Sequence, residues 1–160
     1  MSIRAAREDD GPSIWRAPGP TIRGGETCAL DRDITESQAL ACWCRADRET
    51  FVAAEGGEIV GTYSLRPNHG GGGGHICNCG YVIRRTATGR GVARAMCEHS
   101  LVRAKDQGYR GMQFNFVVSS NERAVRLWES YGFKIVGGFP RAFLQPELGY
   151  ADALVKFRSV

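Results

Sequence analysis

The chain has 160 residues, of which 42% are hydrophobic and 24% charged, so it is long enough to bury a core and is not composed like a disordered protein. Its formal net charge of +4 comes without a long basic run, which argues weakly for anionic ligands and against a nucleic-acid partner. No stretch approaches the roughly 20 apolar residues that cross a bilayer. We therefore expect one cytoplasmic domain over residues 1–160, with neither nucleic acid nor a membrane as a partner.

Six cysteines raise the question of disulfides or a metal site. Two Cys-x-Cys pairs occur, Cys42/Cys44 and Cys77/Cys79. The first pair lies in a segment with helical features, where residues i and i+2 do not share a face, and zinc sites usually use wider spacings. We predict free, reduced and mostly partly buried thiols, as a reducing compartment favours, and no bound metal.

The sequence pattern of the first half of the chain predicts a strand, two helices and a β-hairpin. Thr35 and Gln38 stand at the spacing of a capping box, and Asp9–Pro12 is typical of a helix start. Short apolar segments on either side of the turn 55–58 indicate the hairpin. In chain order the elements are a strand at 3–6, a helix from about Asp9, a helix from Thr35 to about Arg45, and strands at 51–54 and 59–65.

Five consecutive glycines, Gly70–Gly74, follow the hairpin. A phosphate-binding P-loop would need a Gly-Lys-Ser/Thr sequence and then a helix, whereas the next residues, His75–Cys77, have extended character. We therefore predict a flexible connection between two strands.

The second half alternates strands and helices. Apolar residues of Met112–Val118 alternate along one face, and Ser119 and Glu122 stand at capping-box spacing before another helix, which Gly132 closes. A strand, a helix and a strand in succession imply a parallel crossover. The predicted elements are strands at 75–83, 112–118, 134–136 and 150–157, helices at about 92–105 and 119–131, and an irregular loop at 137–149.

The turn before the 92–105 helix, Thr88–Arg94, is the most distinctive segment of the chain. The first N–H groups of a helix lack intrahelical partners and lie at the positive end of its dipole. Gly89 and Gly91 permit unusual dihedral angles and a close approach of the backbone, while Arg90 and Arg94 add positive charge. The turn indicates an anion site, although two glycines at a helix entry also occur without a ligand.

The order of elements and two motifs resemble the GNAT superfamily of N-acetyltransferases over nearly the whole chain. The family pattern Arg/Gln-x-x-Gly-x-Gly/Ala falls on Thr88, Gly91 and Ala93. The pattern Asn followed by Leu-Tyr-Glu-x-x-Gly-Phe falls on Asn121 and residues 127–133. The resemblance implies an α/β fold with a mixed central sheet of about six to seven strands, flanked by about four helices.

The resemblance also implies acetyl-CoA as the co-substrate, without a metal. The pyrophosphate would lie on the backbone amides of residues 89–94, the pantetheine arm would pair with residues 81–83 like an extra strand, and Asn121 would bond the arm or its neighbourhood. A backbone N–H near Val82 or Ile83 would polarise the thioester carbonyl while a neutral amine attacks it. The implied cofactor-binding residues are Tyr81, Val82, Ile83, Gly89, Arg90, Gly91, Val92, Ala93, Arg94 and Asn121.

Two departures from the family pattern bear on the site. Thr88 stands where Arg or Gln is usual, which removes one donor near the phosphates, and Arg85 and Arg90 are candidates to replace it. Trp128 stands where the family often has a tyrosine that protonates the leaving thiolate, and an indole N–H does not titrate usefully. Tyr131 is the nearest phenol and our candidate catalytic acid. The alternatives are that it is a packed aromatic at the helix end, and that the thiolate leaves with help from water or from another acid.

The general base stays open at this point. His75 is a candidate for a proton relay through water, although a solvated loop histidine is the other interpretation. The carboxylates of Glu26, Glu36 and Asp152 are further candidates that the sequence does not rank.

Two functions are consistent with these motifs. The first is an N-acetyltransferase acting on a primary amine of a small molecule, peptide or protein, with a possible homodimer as its assembly. The second is a catalytically weak or silent acyl-CoA-binding or regulatory module, which Trp128 motivates. A dinucleotide-binding oxidoreductase is disfavoured, because Arg94 occupies the third glycine position of G-x-G-x-x-G and no acidic residue ends the strand Met112–Val118.

Overall fold

A seven-stranded mixed sheet forms the centre of the protein, and the computed structural model describes residues 1–160. The strands are β1 (Ser2–Ala5), β2 (Glu49–Glu55), β3 (Glu58–Pro67), β4 (Ile76–Ile83), β5 (Gly111–Val118), β6 (Lys134–Gln145) and β7 (Gly149–Ser159). The helices are α1 (Gly11–Trp15), α2 (Pro18–Gly24), α3 (Glu36–Trp43), α4 (Val92–Asp106) and α5 (Glu122–Ser130). The strand order β1-β2-β3-β4-β5-β7-β6 confirms the predicted α/β fold with a mixed central sheet.

The pairing between β4 and β5 is the feature that positions the site. These are the only parallel neighbours in the sheet, and α4 provides the crossover that parallel strands require. They pair at three positions alone, Ile76 with Gly111, Cys77 with Met112, and Asn78 with Gln113. Both strands continue beyond this point without pairing to each other, so the sheet opens between them.

Alternation along β2 divides the core between the two faces of the sheet. Phe51 and Ala53 belong to the larger buried cluster, which includes residues from α4 and α5, whereas Val52 packs with Ile14 of α1 and with Ile59. Successive strand residues point to opposite faces, so helices cover both sides. The larger cluster contains Met96, Cys97, Met112, Phe114, Trp128 and Phe133.

All six cysteines are free, as predicted. Cys77 and Cys79 of β4 and Cys97 of α4 are buried in the larger core cluster. Burial raises the pKa of Cys77 and of Cys97 to about 12, and it also raises the pKa of Cys79. These thiols are therefore held in their neutral form at physiological pH.

The structure corrects two sequence predictions. Helix α2 was not predicted, because Pro18, Gly19 and Pro20 are poor helix formers, but proline is accommodated in the first turn, where its missing N–H is not needed. The predicted loop 137–149 is mostly strand: β6 runs on to Gln145 at the sheet edge and tolerates Pro140 in an irregular segment where its pairing with β7 is interrupted.

Two further local features were tested by the structure. Thr35 caps α3 by accepting a bond from the Gln38 N–H, as predicted. The glycine run does connect two strands, β3 and β4, and it forms a short helical turn at Gly71–Gly73. None of the helices is long and apolar enough to cross a membrane.

A packing constraint at the start of β5 yields a test of the fold. A Cβ on Gly111 would lie 2.6 Å from the Phe157 ring and 3.0 Å from Ile76. We expect Gly111→Ala to lower the free energy of unfolding by about 1–3 kcal/mol through overpacking. Gly137→Ala is the matched control, since its Cβ would meet only Val155 at 4.0 Å. Urea denaturation measures both, and equal stability of the two variants would contradict this account of the β4–β5 junction.

Candidate active site

A cavity of about 560 Å³ opens where β4 and β5 separate. Its lining comes from the second half of β4, from the first turn of α4 and the residues before it, and from α5. Helix α2 and the residues just after it form a further wall. Nine of the ten predicted cofactor-binding residues line this cavity, namely Tyr81, Val82, Ile83, Gly89, Gly91, Val92, Ala93, Arg94 and Asn121.

The start of α4 presents free backbone donors to the cavity. Gly89 and Gly91 have φ of 84° and 80°, in the left-handed region that favours glycine, so they turn the chain sharply into the helix. No side chain caps the helix, and its first turn is closed by a bond from the Ala95 N–H to the Gly91 carbonyl. The amides of Val92, Ala93 and Arg94 therefore lack helical partners and lie at the positive end of the helix dipole.

Three arginines add positive charge to this end of the cavity. Arg85, Arg94 and Arg123 line it, and none of them forms an ion pair with a carboxylate. The Arg123 guanidinium lies 3.7 Å from the position that a Cβ on Gly89 would occupy. The basic end is thus assembled from the β4–α4 connection, α4 and α5.

Arg90 is the one predicted cofactor residue outside the lining. Its guanidinium forms an ion pair with Glu55, and the neighbouring Arg84 pairs with Glu58 at 2.6 Å. Of the two arginines suggested to compensate for Thr88, the structure therefore brings Arg85 to the cavity and holds Arg90 beside β2.

Asn121 caps α5 at the same mouth. Its Oδ1 accepts a bond of 3.4 Å from the Ala124 N–H, and its side-chain amide N–H groups form no bond within the protein. The predicted capping box of Ser119 with Glu122 is therefore wrong, because Asn121 is the residue that satisfies the first turn.

Aromatic rings close the inner end of the cavity. Tyr81 and Trp128 both line it, with ring centroids 4.8 Å apart. The Tyr81 hydroxyl shares a hydrogen bond of 2.6 Å with the Ser100 hydroxyl, and burial raises the pKa of Tyr81 well above its ordinary value. Trp128 is only 7% exposed.

Tyr131, the candidate acid, does not line the cavity. Its hydroxyl donates a hydrogen bond of 2.5 Å to the Glu98 carboxylate. Partial burial and this bond raise the pKa of Tyr131 to about 12. The sequence placed Tyr131 one turn from Trp128, and the structure turns its phenol toward α4.

The candidate bases differ in whether they line the cavity. Glu26 lies in the cavity wall that follows α2 and is the one carboxylate in the lining. Glu36 and His75 are exposed and lie outside the lining, and Asp152 accepts a bond of 2.9 Å from the Arg141 N–H.

Sequence reasoning missed Arg123 and most of the α2 wall. A signal for Arg123 was present, because a cation in the first turn of a helix opposes the helix dipole and suggests a compensating anion nearby. The α2 wall, formed by Pro20, Thr21, Gly24, Glu26 and Thr27, carried no such signal, since the helix itself was not predicted.

Comparison with known proteins gives consistent matches. A family model described as the acetyltransferase (GNAT) family matches residues 15–133. N-acetyltransferase aca1 of Schizosaccharomyces pombe is 31% identical over 98 residues, which make up 61% of this chain and 47% of that protein. The match therefore spans about half the length of this curated relative.

Two solved structures are similar over almost the full chain. A GCN5-related N-acetyltransferase from Kribbella flavida is 35% identical, with a TM-score of 0.95, covering 99% of this chain and 97% of that one. The putative acetyltransferase yncA from Salmonella typhimurium, solved with its cofactor acetyl-CoA, is 20% identical, with a TM-score of 0.85, covering 99% and 93%. At that identity the second likeness concerns the fold alone.

The interrupted sheet and the uncapped helix beside it define an α/β protein with an anion-accepting cavity at the opening of its sheet. Because the family model covers most of the chain, the protein belongs to the acetyltransferase (GNAT) family.

Proposed function

We propose that the protein transfers an acetyl group from acetyl-CoA to a primary amine of a small molecule, peptide or protein. One observation carries the proposal: the free amides at the start of α4 and three unpaired arginines lie at one end of a cavity that follows the open edge of β4. A ligand with phosphates at one end and an extended amide-bearing arm fits this arrangement.

Each part of acetyl-CoA has a proposed partner. The pyrophosphate binds the amides of residues 89–94, with charge from Arg85, Arg94 and Arg123. The pantetheine arm runs along Tyr81–Ile83, where β4 has lost its pairing with β5. The amide N–H groups of Asn121, which are unused within the protein, donate to the arm.

The reaction follows from this placement. A neutral amine attacks the thioester carbonyl carbon, the new C–N bond forms, and the C–S bond breaks. A backbone N–H near Val82 or Ile83 stabilises the charge that develops on the carbonyl oxygen. The surplus proton of the amine must leave, so a base is needed close to the acceptor.

We propose Glu26 as that base, acting directly or through a water. It is the one carboxylate lining the cavity, and it lies on the α2 wall. This placement also favours acceptors that arrive as ammonium ions, since a carboxylate attracts them before deprotonation. The role of Tyr131 as the acid stays a prediction, and its bond to Glu98 outside the cavity does not support it.

Two measurements test the proposed function. Isothermal titration calorimetry with acetyl-CoA tests binding, and release of CoA across a panel of amines and peptides tests transfer. Binding with turnover on at least one amine is the expected result. Tight binding without any turnover would instead support the silent acyl-CoA-binding module, and no binding at high micromolar acetyl-CoA would overturn both functions.

Removing the charge of Arg123 should weaken cofactor binding. We expect Arg123→Gln to raise the Kd for acetyl-CoA about tenfold, because a charge-assisted contact to phosphate is lost. The effect should shrink as salt is added, since ions screen this exposed charge. Arg126→Gln is the matched control on the same helix, where Arg126 pairs with Glu122 and lies outside the cavity. Equal weakening by both variants would contradict the assignment.

Replacing Glu26 should impair transfer but not cofactor binding. We expect Glu26→Gln to lower kcat/KM for the amine about 100-fold, the size of a typical general-base contribution, with an unchanged Kd for acetyl-CoA. The remaining rate should rise with pH as the free-amine fraction grows. Glu36→Gln, at an exposed position outside the cavity, is the control. An unimpaired Glu26→Gln variant would remove Glu26 from the mechanism.

We also propose that the protein forms a homodimer along β6. This strand is a free edge of the sheet, and five apolar side chains on it and on β7 are each more than half exposed, an apolar surface that a monomer rarely leaves uncovered. They are Ile135, Val136, Phe139, Leu144 and Tyr150.

Sedimentation velocity tests this assembly. We expect the wild type to sediment as a dimer and Phe139→Glu to shift it toward monomer, because a buried charge would oppose the interface. Glu147→Lys, which changes a charge in the exposed turn after β6, is the control and should stay dimeric. A wild type that is monomeric at all concentrations would refute the proposal.

A further inference from the structure

The indole N–H of Trp128 is a hydrogen-bond donor without a protein partner. Trp128 is 7% exposed and lines the cavity, yet its N–H donates to no group in the protein. By contrast, the Trp43 N–H donates a bond of 3.0 Å to the Thr62 hydroxyl. The Trp128 nitrogen is not itself fully buried, because every fully buried polar side-chain atom of the protein has a partner. Since the residue lines the cavity, a ligand that enters the cavity can accept this free N–H.

The position of Trp128 along α5 indicates which part of a ligand it meets. Asn121, Ala124 and Trp128 all line the cavity, and Trp128 follows Asn121 by seven positions, which correspond to roughly 10 Å along the helix axis. The arginine and amide end of the cavity lies at the start of this helix, where Arg123 reaches Gly89. Trp128 therefore lies at the far end from the phosphates, beside Tyr81.

The phenols near this end already have partners. The Tyr81 hydroxyl is bound to Ser100, and the Tyr131 hydroxyl donates to Glu98. Of these three aromatic side chains, Trp128 is therefore the one whose hydrogen-bond donor has no partner within the protein.

We propose that the Trp128 N–H donates a hydrogen bond to the sulfur of the acetyl thioester and to the thiolate that leaves. The inference rests on the proposed function, because it places the thioester at the inner end of the cavity. When the C–S bond breaks, its electron pair passes to sulfur and CoA leaves as a thiolate. The amine proton goes to Glu26 or water, and the thiolate takes a proton from solvent after release.

The chemical role is stabilisation by a hydrogen bond without proton transfer. Negative charge grows on sulfur as the transition state forms, so a preorganised donor lowers the barrier more than it stabilises the bound substrate. The thiol of cysteine has a pKa of about 8.5, and a thiol is acidic enough for its thiolate to leave without prior protonation. Because an indole does not titrate in this range, the rate should show no alkaline fall from an enzyme acid.

Trp128→Phe tests the proposal kinetically. It keeps a ring in the core and removes the N–H, so kcat should fall about tenfold to a hundredfold while the Kd for acetyl-CoA changes less than about twofold. Trp43→Phe is the matched control, since its N–H lies outside this cavity, and it should keep its kcat. Trp128→Tyr should recover activity and acquire an alkaline fall in kcat. Unchanged kcat in Trp128→Phe, or a loss explained by weaker binding, would overturn the proposal.

A second measurement does not depend on turnover. The ultraviolet absorbance of the thiolate, taken as the difference between complexes with CoA and desulfo-CoA, reports the pKa of the bound CoA thiol. We expect Trp128→Phe to raise that pKa by about one unit, equivalent to a tenfold loss of thiolate stabilisation. No shift would overturn the role of Trp128 even if the enzyme acetylates amines. Failure of the wild type to acetylate any amine, with the shift present, would refute only the proposed function.

Discussion

The loss of pairing between β4 and β5 is the constraint on which the rest of the structure depends. Backbone N–H and C=O groups inside a sheet are normally satisfied by the neighbouring strand. Here that pairing stops after Asn78 and Gln113, although neither strand lies at the sheet edge. The rings of Tyr81, Phe114 and Trp128 pack just beyond this point at centroid distances of 4.8–5.8 Å. A stable aromatic cluster thus occupies the place where the strands part, and an extended ligand can supply the missing partners along β4.

The arginines near the mouth of the cavity differ in whether a carboxylate neutralises their charge. Arg84 and Arg90 are held by Glu58 and Glu55 of the β2–β3 hairpin. Arg85, Arg94 and Arg123 have no such partners and line the cavity. The hairpin carboxylates therefore neutralise the arginines that point away from the site. The uncompensated charge is concentrated where the helix dipole and the free amides already favour an anion.

Features that depend on local sequence were predictable. The Gly89–Gly91 turn and the crossover from β4 to β5 follow from glycine conformation and from hydrophobic periodicity. The resemblance to the GNAT superfamily supplied the set of cofactor-binding residues, nine of which line one cavity. The direction of a side chain after packing was not predictable. Arg90 and Tyr131 lie next to the site in sequence, but Glu55 and Glu98, which come from other elements, bind them.

The same limit explains the two missed elements. Helix α2 depends on contacts with the sheet that outweigh the low propensity of its prolines and glycines. The long β6 depends on pairing with β7, which accommodates Pro140 only because that strand lies at the edge.

Burial of the cysteines has a chemical consequence for a protein that handles a thioester. A thiolate is a better nucleophile toward an acetyl thioester than a protonated thiol, and exchange of the acetyl group onto the protein would compete with transfer to an amine. Cys79 lies on β4 only two residues before Tyr81, with Cys77 and Cys97 close by in the core. Because burial keeps all three protonated, the thiols nearest to the proposed thioester site do not compete with the acceptor for the acetyl group.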